Sequence, residues 1–181
     1  DAIIFQAFSK LYIYKNNKIE IQYGNGEPFL FAHQIGTNLW IEKIPSGLQK
    51  LTTNTIIPIS DRLSNIMTIL PTAGNEYLVG TAKEGLFLMN NEGTIRKWNL
   101  NPQVDRILQE AQINNGIKIS EDIYTFGTIK NGIFIIDSKG KLLQHLHKRN
   151  GLQNNTVLSI TLDQQGNIWA GLDNGIDRIE I

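Results

Sequence analysis

The stretch Asn150-Gly-Leu-Gln-Asn-Asn-Thr-Val-Leu-Ser-Ile-Thr-Leu-Asp-Gln-Gln-Gly-Asn-Ile-Trp-Ala-Gly-Leu-Asp-Asn-Gly175 decides how this chain is read. With the residues after it, it spells three short β-strands: Thr156–Leu162, Asn167–Ala170 and Ile176–Ile181. Two turns separate them. In Asp163-Gln-Gln-Gly-Asn167 an aspartate can accept from nearby amides while Gly166 takes positive φ, and Asp173-Asn174-Gly175 also favours left-handed backbone.

Weaker copies lie upstream, each marked by a glycine between two apolar runs. Gly47, Gly85, Gly132 and Gly175 follow Leu39-Trp40-Ile41, Leu78-Val79, Thr125-Phe126 and Ile168-Trp169. They precede Leu48, Leu86-Phe87-Leu88, Ile133-Phe134-Ile135 and Ile176. A fifth copy without the glycine is Lys10-Leu-Tyr-Ile-Tyr14. A drifting period of about 40 residues built from short strands is the signature of a β-propeller. The expected fold is therefore all-β, a partial propeller of four-stranded antiparallel blades, about four to five in number.

The same grammar predicts the other strands: Pro28–Gln34, Asn38–Glu42, Leu48–Thr52 and Ile56–Ser60; then Asn65–Leu70, Glu76–Val79, Leu86–Met89 and Thr94–Asn99; then Gly116–Ser120, Asp122–Phe126, Ile133–Asp137 and Leu142–Leu146. The first repeat starts at its second strand, with Ala2–Phe8, Lys10–Tyr14 and Lys18–Gln22, and the last stops after its third. One propeller fragment with blades near 1–22, 23–62, 63–100, 101–148 and 149–181 follows. Three-strand remnants at both ends do not combine into one four-stranded blade. A piece of a seven-bladed ring is therefore preferred to a closed five-bladed one. One helix is expected over Pro102–Ala111, with Asn101 as cap, Pro102 at the first position and apolar residues at helical spacing.

Charge and composition exclude several functions. Lysine plus arginine equals aspartate plus glutamate, 17 each, so no basic stripe points to nucleic acid. There is no cysteine, and no apolar run approaches the length of a membrane span. The start at Asp1 has no basic leader; if the protein is exported, its signal peptide precedes this chain. No phosphate loop, nucleophile elbow or dinucleotide fingerprint occurs. Asp163–Asn167 lacks the alternating oxygen ligands of a calcium loop.

The residues Asn150-Gly151-Leu152, Asn155-Thr156-Val157, Ser159-Ile160, Asp163, Gly166-Asn167-Ile168-Trp169, Gly171 and Asn174-Gly175-Ile176 resemble the two-component regulator propeller repeat. The earlier copies keep only the strand–Gly–strand core, and together they cover nearly the whole chain. The resemblance implies a non-enzymatic periplasmic sensor that recognises a carbohydrate-derived or similar ligand and relays it to a downstream kinase. The rest of a longer propeller and sensor chain would be its partner. The family's repeat residues are architectural, so no contact residue is carried over from it.

Candidate contacts come from topology instead. Hairpins joining second to third strands emerge on one rim and carry Lys43, Lys83, Glu84, Lys130, Asn131, Asp173 and Asn174, with Glu42 beside them and Arg149 arriving from a blade connection. Mixed donors and acceptors there suit a hydroxyl-rich small molecule or oligosaccharide. Trp40 and Trp169 share one repeat position and are expected to pack between blades, as are Tyr12, Tyr14, Phe87 and Phe134. His145 and His147 project from one face of a strand, but a metal site needs further ligands, so neither a metal nor a cofactor is expected. Two other function classes stay open: a propeller-scaffold polysaccharide lyase or glycosidase, and an interaction scaffold that forms a homodimer through exposed blade edges.

Overall fold

The computed structural model describes residues 2–36, 38–52 and 55–180, and the last residue of the strand expected over Ile176–Ile181 lies outside them. Among the described residues eighteen strands form five antiparallel sheets, accompanied by one helix and distributed over two compact units, 1–65 and 66–181.

The first unit holds two sheets. One joins β1 (Ile3–Gln6), β2 (Lys10–Lys15) and β3 (Lys18–Tyr23), and the other joins β4 (Phe29–Ile35), β5 (Asn38–Lys43), β6 (Gly47–Leu51) and β7 (Ile56–Ser60). Strand alternation sorts the first sheet into two faces. Leu11 and Ile4 pack with Phe29, Leu39 and Ile41 of the second sheet. The register places Ile3, Phe5, Tyr12, Tyr14, Ile19 and Ile21 on the opposite face.

The second unit holds three sheets in chain order. They are β8 (Ile66–Pro71), β9 (Glu76–Thr81), β10 (Gly85–Asn90) and β11 (Ile95–Lys97); β12 (Ile113–Ser120), β13 (Ile123–Thr128), β14 (Ile133–Asp137) and β15 (Leu142–Leu146); and β16 (Val157–Leu162), β17 (Ile168–Leu172) and β18 (Ile176–Ile179). The edge strand β12 lies against both β8 and β16. Side chains bridge these neighbours: Thr68 Oγ1 donates to the Gly116 carbonyl at 3.3 Å, and the Asn114 and Asn115 amides donate to the Val157 carbonyl at 3.1 and 3.3 Å. Apolar residues fill the layers between sheets. Leu78, Leu86, Trp98, Tyr124, Phe126 and Phe134 share one cluster, and Ile133, Ile135, Leu146, Val157, Ile168 and Ala170 share the next.

The hairpins repeat one piece of chemistry. Asn90, Asp137 and Asp163 each accept through Oδ1 from the amides two and four residues on, at 2.8–3.2 Å, and a glycine with φ of 81–86° stands three residues on. The side chain supplies acceptors that the turn backbone lacks, and glycine supplies the left-handed conformation. At the second type of hairpin, Thr81 and Thr128 donate to the carbonyls of Gly85 and Gly132 and accept from the amides of Glu84 and Asn131.

Helix α1 (Pro102–Ala111) has the expected bounds, with Pro102 in the first turn and Asn101 Oδ1 accepting from the Gln103 amide at 2.9 Å. It buries Leu108 and Ala111. Most strand bounds move from expectation by a few residues. β11 is only Ile95–Lys97, although the Trp98 amide still donates to the Leu86 carbonyl at 3.1 Å while its side chain joins the core, and β12 begins at Ile113, one residue past the helix.

Two aromatic expectations need correction. Trp40 is 1% exposed, but Trp169 at the same repeat position is 40% exposed, its indole N–H donating to Asp163 Oδ2 at 3.0 Å. Ile168 and Ala170 take the covered face of the last sheet, so Trp169 points to the other, which no neighbouring sheet covers among the described residues. Tyr14, 39% exposed, lies on the free face of the first sheet for the same reason. Phe134 and Phe87 are buried as expected.

Candidate functional site

Of the expected rim residues, Lys43 and its neighbour Glu42 lie in the first unit and the others in the second. Lys43 is 9% exposed: its ammonium meets Glu27 at 3.1 Å and lies 5.7 Å from the centre of the Phe29 ring. Ser46 also donates to Glu27, at 2.7 Å to Oε2. Those hydrogen bonds, first from Ser46 and then from Lys43, hold the Glu27 carboxyl below its ordinary value. Glu42 is 1% exposed, and its Oε1 accepts from the Asn65 amide at 2.6 Å. These two charges are therefore parts of the hairpin's structure, not open contacts.

In the second unit, Lys83 and Glu84 are exposed on the β9–β10 hairpin, where the Glu84 carbonyl accepts from Lys97 Nζ. The Lys97 ammonium also reaches Asp105 of α1 at 3.4 Å. Asp173 and Asn174 are exposed on the β17–β18 hairpin, fastened through the Asp173 amide to the Thr156 carbonyl at 3.0 Å. Arg149 is exposed, and its amide donates to His147 Nδ1 at 3.2 Å.

Lys130 and Asn131 do come together. With Ile107, Glu110, Ala111 and His145 they line a cleft of about 260 Å³ between α1 and the β13–β14 hairpin. The amides of Ile129 and Lys130 donate to the Gln112 and Ala111 carbonyls at 2.9 and 3.0 Å. Carbonyls left over where a helix ends thus find donors in the hairpin. Arg106 pairs with Glu110 at 2.9 Å on the helix flank.

His145 is half-buried and stacks on Phe134 with ring centres 4.1 Å apart. Its Nε2 lies 2.7 Å from the Asn131 carbonyl. A carbonyl only accepts, so Nε2 carries the proton. Burial pushes the imidazole below its ordinary pKa, the Asn131 bond opposes this and the nearby His147 adds to it. The Asn150 side chain braces the pair, accepting from the His147 amide at 2.6 Å and donating to the His145 carbonyl at 2.7 Å. The cleft thus offers one cation, one carboxylate, one ring and backbone polar groups, a set suited to holding a small polar ligand. No group of three or more metal-ligating side chains occurs among the described residues. Glu110, Ile107 and His145 were not foreseen as site residues; the amphipathic helix and the pairing of His145 with Phe134 are the signals that place them.

With this architecture in hand, the class of fold is clear: a β chain of three- and four-stranded antiparallel sheets with one helix, a partial β-propeller. Known structures agree. The chain is similar to the extracellular domain of the putative hybrid two-component system BT3049 from B. thetaiotaomicron, with TM-score 0.76 and 16% identity over 99% of this chain and 27% of that one. It is also similar to the extracellular domain of the putative one-component system BT4673 from the same organism, with TM-score 0.74 and 21% identity over 100% of this chain and 26% of the other. The WD40 β-propeller domain of Doa1 matches with TM-score 0.75 and 10% identity over 98% of this chain and 59% of that domain. The chain thus spans about a quarter of the length of the first two. No protein-family model matches it, and no curated protein does. No helix among the described residues is long and apolar enough to cross a membrane.

Proposed function

We propose that this chain is the ligand-recognising part of a periplasmic sensor in a two-component signalling protein, acting as one propeller fragment of a longer, seven-bladed body. In this reading it takes no part in chemistry. It binds a carbohydrate-derived or similar ligand and passes the occupancy to a downstream kinase. The observation that carries the reading is the whole-chain likeness to extracellular domains of two-component and one-component systems. The cleft at Lys130, Asn131 and His145 supports it with hydrogen-bonding groups for a hydroxyl-rich ligand. Among the described residues Glu110 is the sole carboxylate lining that cleft and is held by Arg106, so the glycosidase reading gains no acid–base pair there.

The test is calorimetric titration with a panel of plant and host oligosaccharides, on this chain and on the longer protein that carries it. Saturable binding without turnover is expected. Silence across the panel, or product formation, would defeat the reading.

A second role has its own observation. On the free face of the first sheet, Ile3, Phe5 and Ile19 are 56%, 62% and 65% exposed. Apolar patches of this extent mark contact surfaces. Within each unit a blade face is covered by another blade, so we assign this face to a further blade, from the same longer protein or from a second copy of the chain.

A further inference from the structure

The cleft at Lys130 adjoins one end of β13; at the other end a second cleft opens. It occupies about 220 Å³ between the β8–β11 and β12–β15 sheets, with Leu78, Leu88, Trp98 and Tyr124 as walls and Thr72 and Ser138 at its lip. Trp98 is 8% exposed and Tyr124 is 1% exposed, and their rings meet edge to face at 6.0 Å.

Both side chains carry a donor that the fold leaves unused. Among the described residues no hydrogen bond within the chain engages the Trp98 indole N–H or the Tyr124 hydroxyl, and neither atom is sealed from solvent. The other polar groups here are already engaged. Thr72 Oγ1 donates to the Glu76 carbonyl at 2.8 Å, Glu76 holds Arg96 at 2.7 Å, and Ser138 donates to Asp122 at 2.8 Å. Burial and the Asp122 charge keep the Tyr124 proton in place, so the hydroxyl remains a donor. The same negative charge disfavours an anionic guest beside it.

Size and chemistry narrow the guest. The volume is below the roughly 300–1,000 Å³ of sites for drug-sized ligands, so a single ring fits. An oxygen acceptor suits the aromatic end, where the two donors stand, and an apolar edge suits the two leucines. We infer that this cleft, distinct from the one at Lys130, binds a neutral single ring bearing hydroxyl or ether oxygens, such as one pyranose unit. Its oxygen accepts from Tyr124 and Trp98, while its C–H face lies on Leu78 and Leu88. The inference rests on the sensor reading and adds to it a place and a ligand class.

The test follows the three indole N–H resonances of the ¹⁵N-labelled chain, from Trp40, Trp98 and Trp169. The titrants are the methyl glycosides of glucose, galactose and N-acetylglucosamine, with galacturonate as the anionic counterpart. A saturable shift of Trp98 alone is expected with at least one neutral glycoside, at a Kd of a few millimolar, about the strength of one small ring. Tyr124→Phe keeps the ring and removes only the hydroxyl; it weakens binding about fivefold. Galacturonate binds about threefold more weakly than the galactoside, a cost set by the Asp122 charge beside Tyr124.

The inference is overturned if no neutral glycoside moves Trp98, if Tyr124→Phe binds as tightly as the parent, or if galacturonate binds equally well. If a glycoside instead shifts the amides of Lys130 and Asn131 and leaves Trp98 still, the cleft assignment falls and the sensor reading stands.

Discussion

Substituting alanine for Gly132 separates two costs that glycine hides. Gly132 has φ of 74°, and a Cβ built on it would collide with the Leu146 carbonyl oxygen at the end of β15 and approach His147 Cα at 3.1 Å. Gly166 has φ of 86° with nothing within 4 Å of a built Cβ. Both substitutions meet the left-handed penalty of about 1–2 kcal/mol, offset by about 0.4–1 kcal/mol from the stiffer unfolded chain. Gly166→Ala is thus destabilising by about 1 kcal/mol. Gly132→Ala must also displace backbone, which adds about 1–3 kcal/mol, a typical overpacking cost. The displacement strains the hydrogen bond from the Gly132 amide to the Asn155 carbonyl, 2.8 Å, which ties the hairpin to the next connection. Equilibrium urea unfolding reads the difference. With a slope of about 2 kcal/mol per molar, the Gly132→Ala midpoint falls about 0.5–1.5 M below that of Gly166→Ala. Coincident midpoints would refute the steric argument and leave conformational strain as the whole effect.

Three other outcomes are expected. Asp163 is held at about 2, first by Asn167 and then by the Trp169 indole; its unfolded value is about 3.9, so its contribution is present above that pH and is lost as pH falls towards 2. Asp163→Asn should flatten the fall in stability over that window, and an unchanged acid-unfolding profile would count against the hydrogen-bonded turn. Glu27→Gln leaves the Lys43 ammonium buried without its carboxylate and should lower the melting temperature more than Lys43→Met, which removes the charge with it; the reverse order would show that the pair is dispensable. Replacing Phe5 and Ile19 with lysine should reduce self-association in light scattering at high concentration, and a parent chain that is already monomeric there would rule out the homodimeric use of that face.

Local chemistry was readable from sequence, and long-range burial was not. The Asp163–Asn167 turn and the bounds of α1 are set within a few residues by acceptors, glycine and proline, and both are found as expected. Lys43 and Lys83 occupy comparable hairpins, yet one is buried and the other exposed. The difference lies in Glu27 and Phe29, which reach Lys43 from an earlier strand and connection. Trp40 and Trp169 show the same limit, because a repeat position specifies which face a side chain takes but not whether another sheet covers it. The cleft at Lys130 needed the helix as its second wall, and the pattern that announces a helix does not say which hairpin it will meet.

Helix α1 has a mechanical consequence. Near its start Asp105 stands against Gly85 and Lys97 of one sheet, and at its end two carbonyls grip the Ile129–Lys130 corner of the next. It is a strut that fixes the spacing of adjacent blades, so a wedge driven in beside Ala111 would be felt as leverage at Gly85.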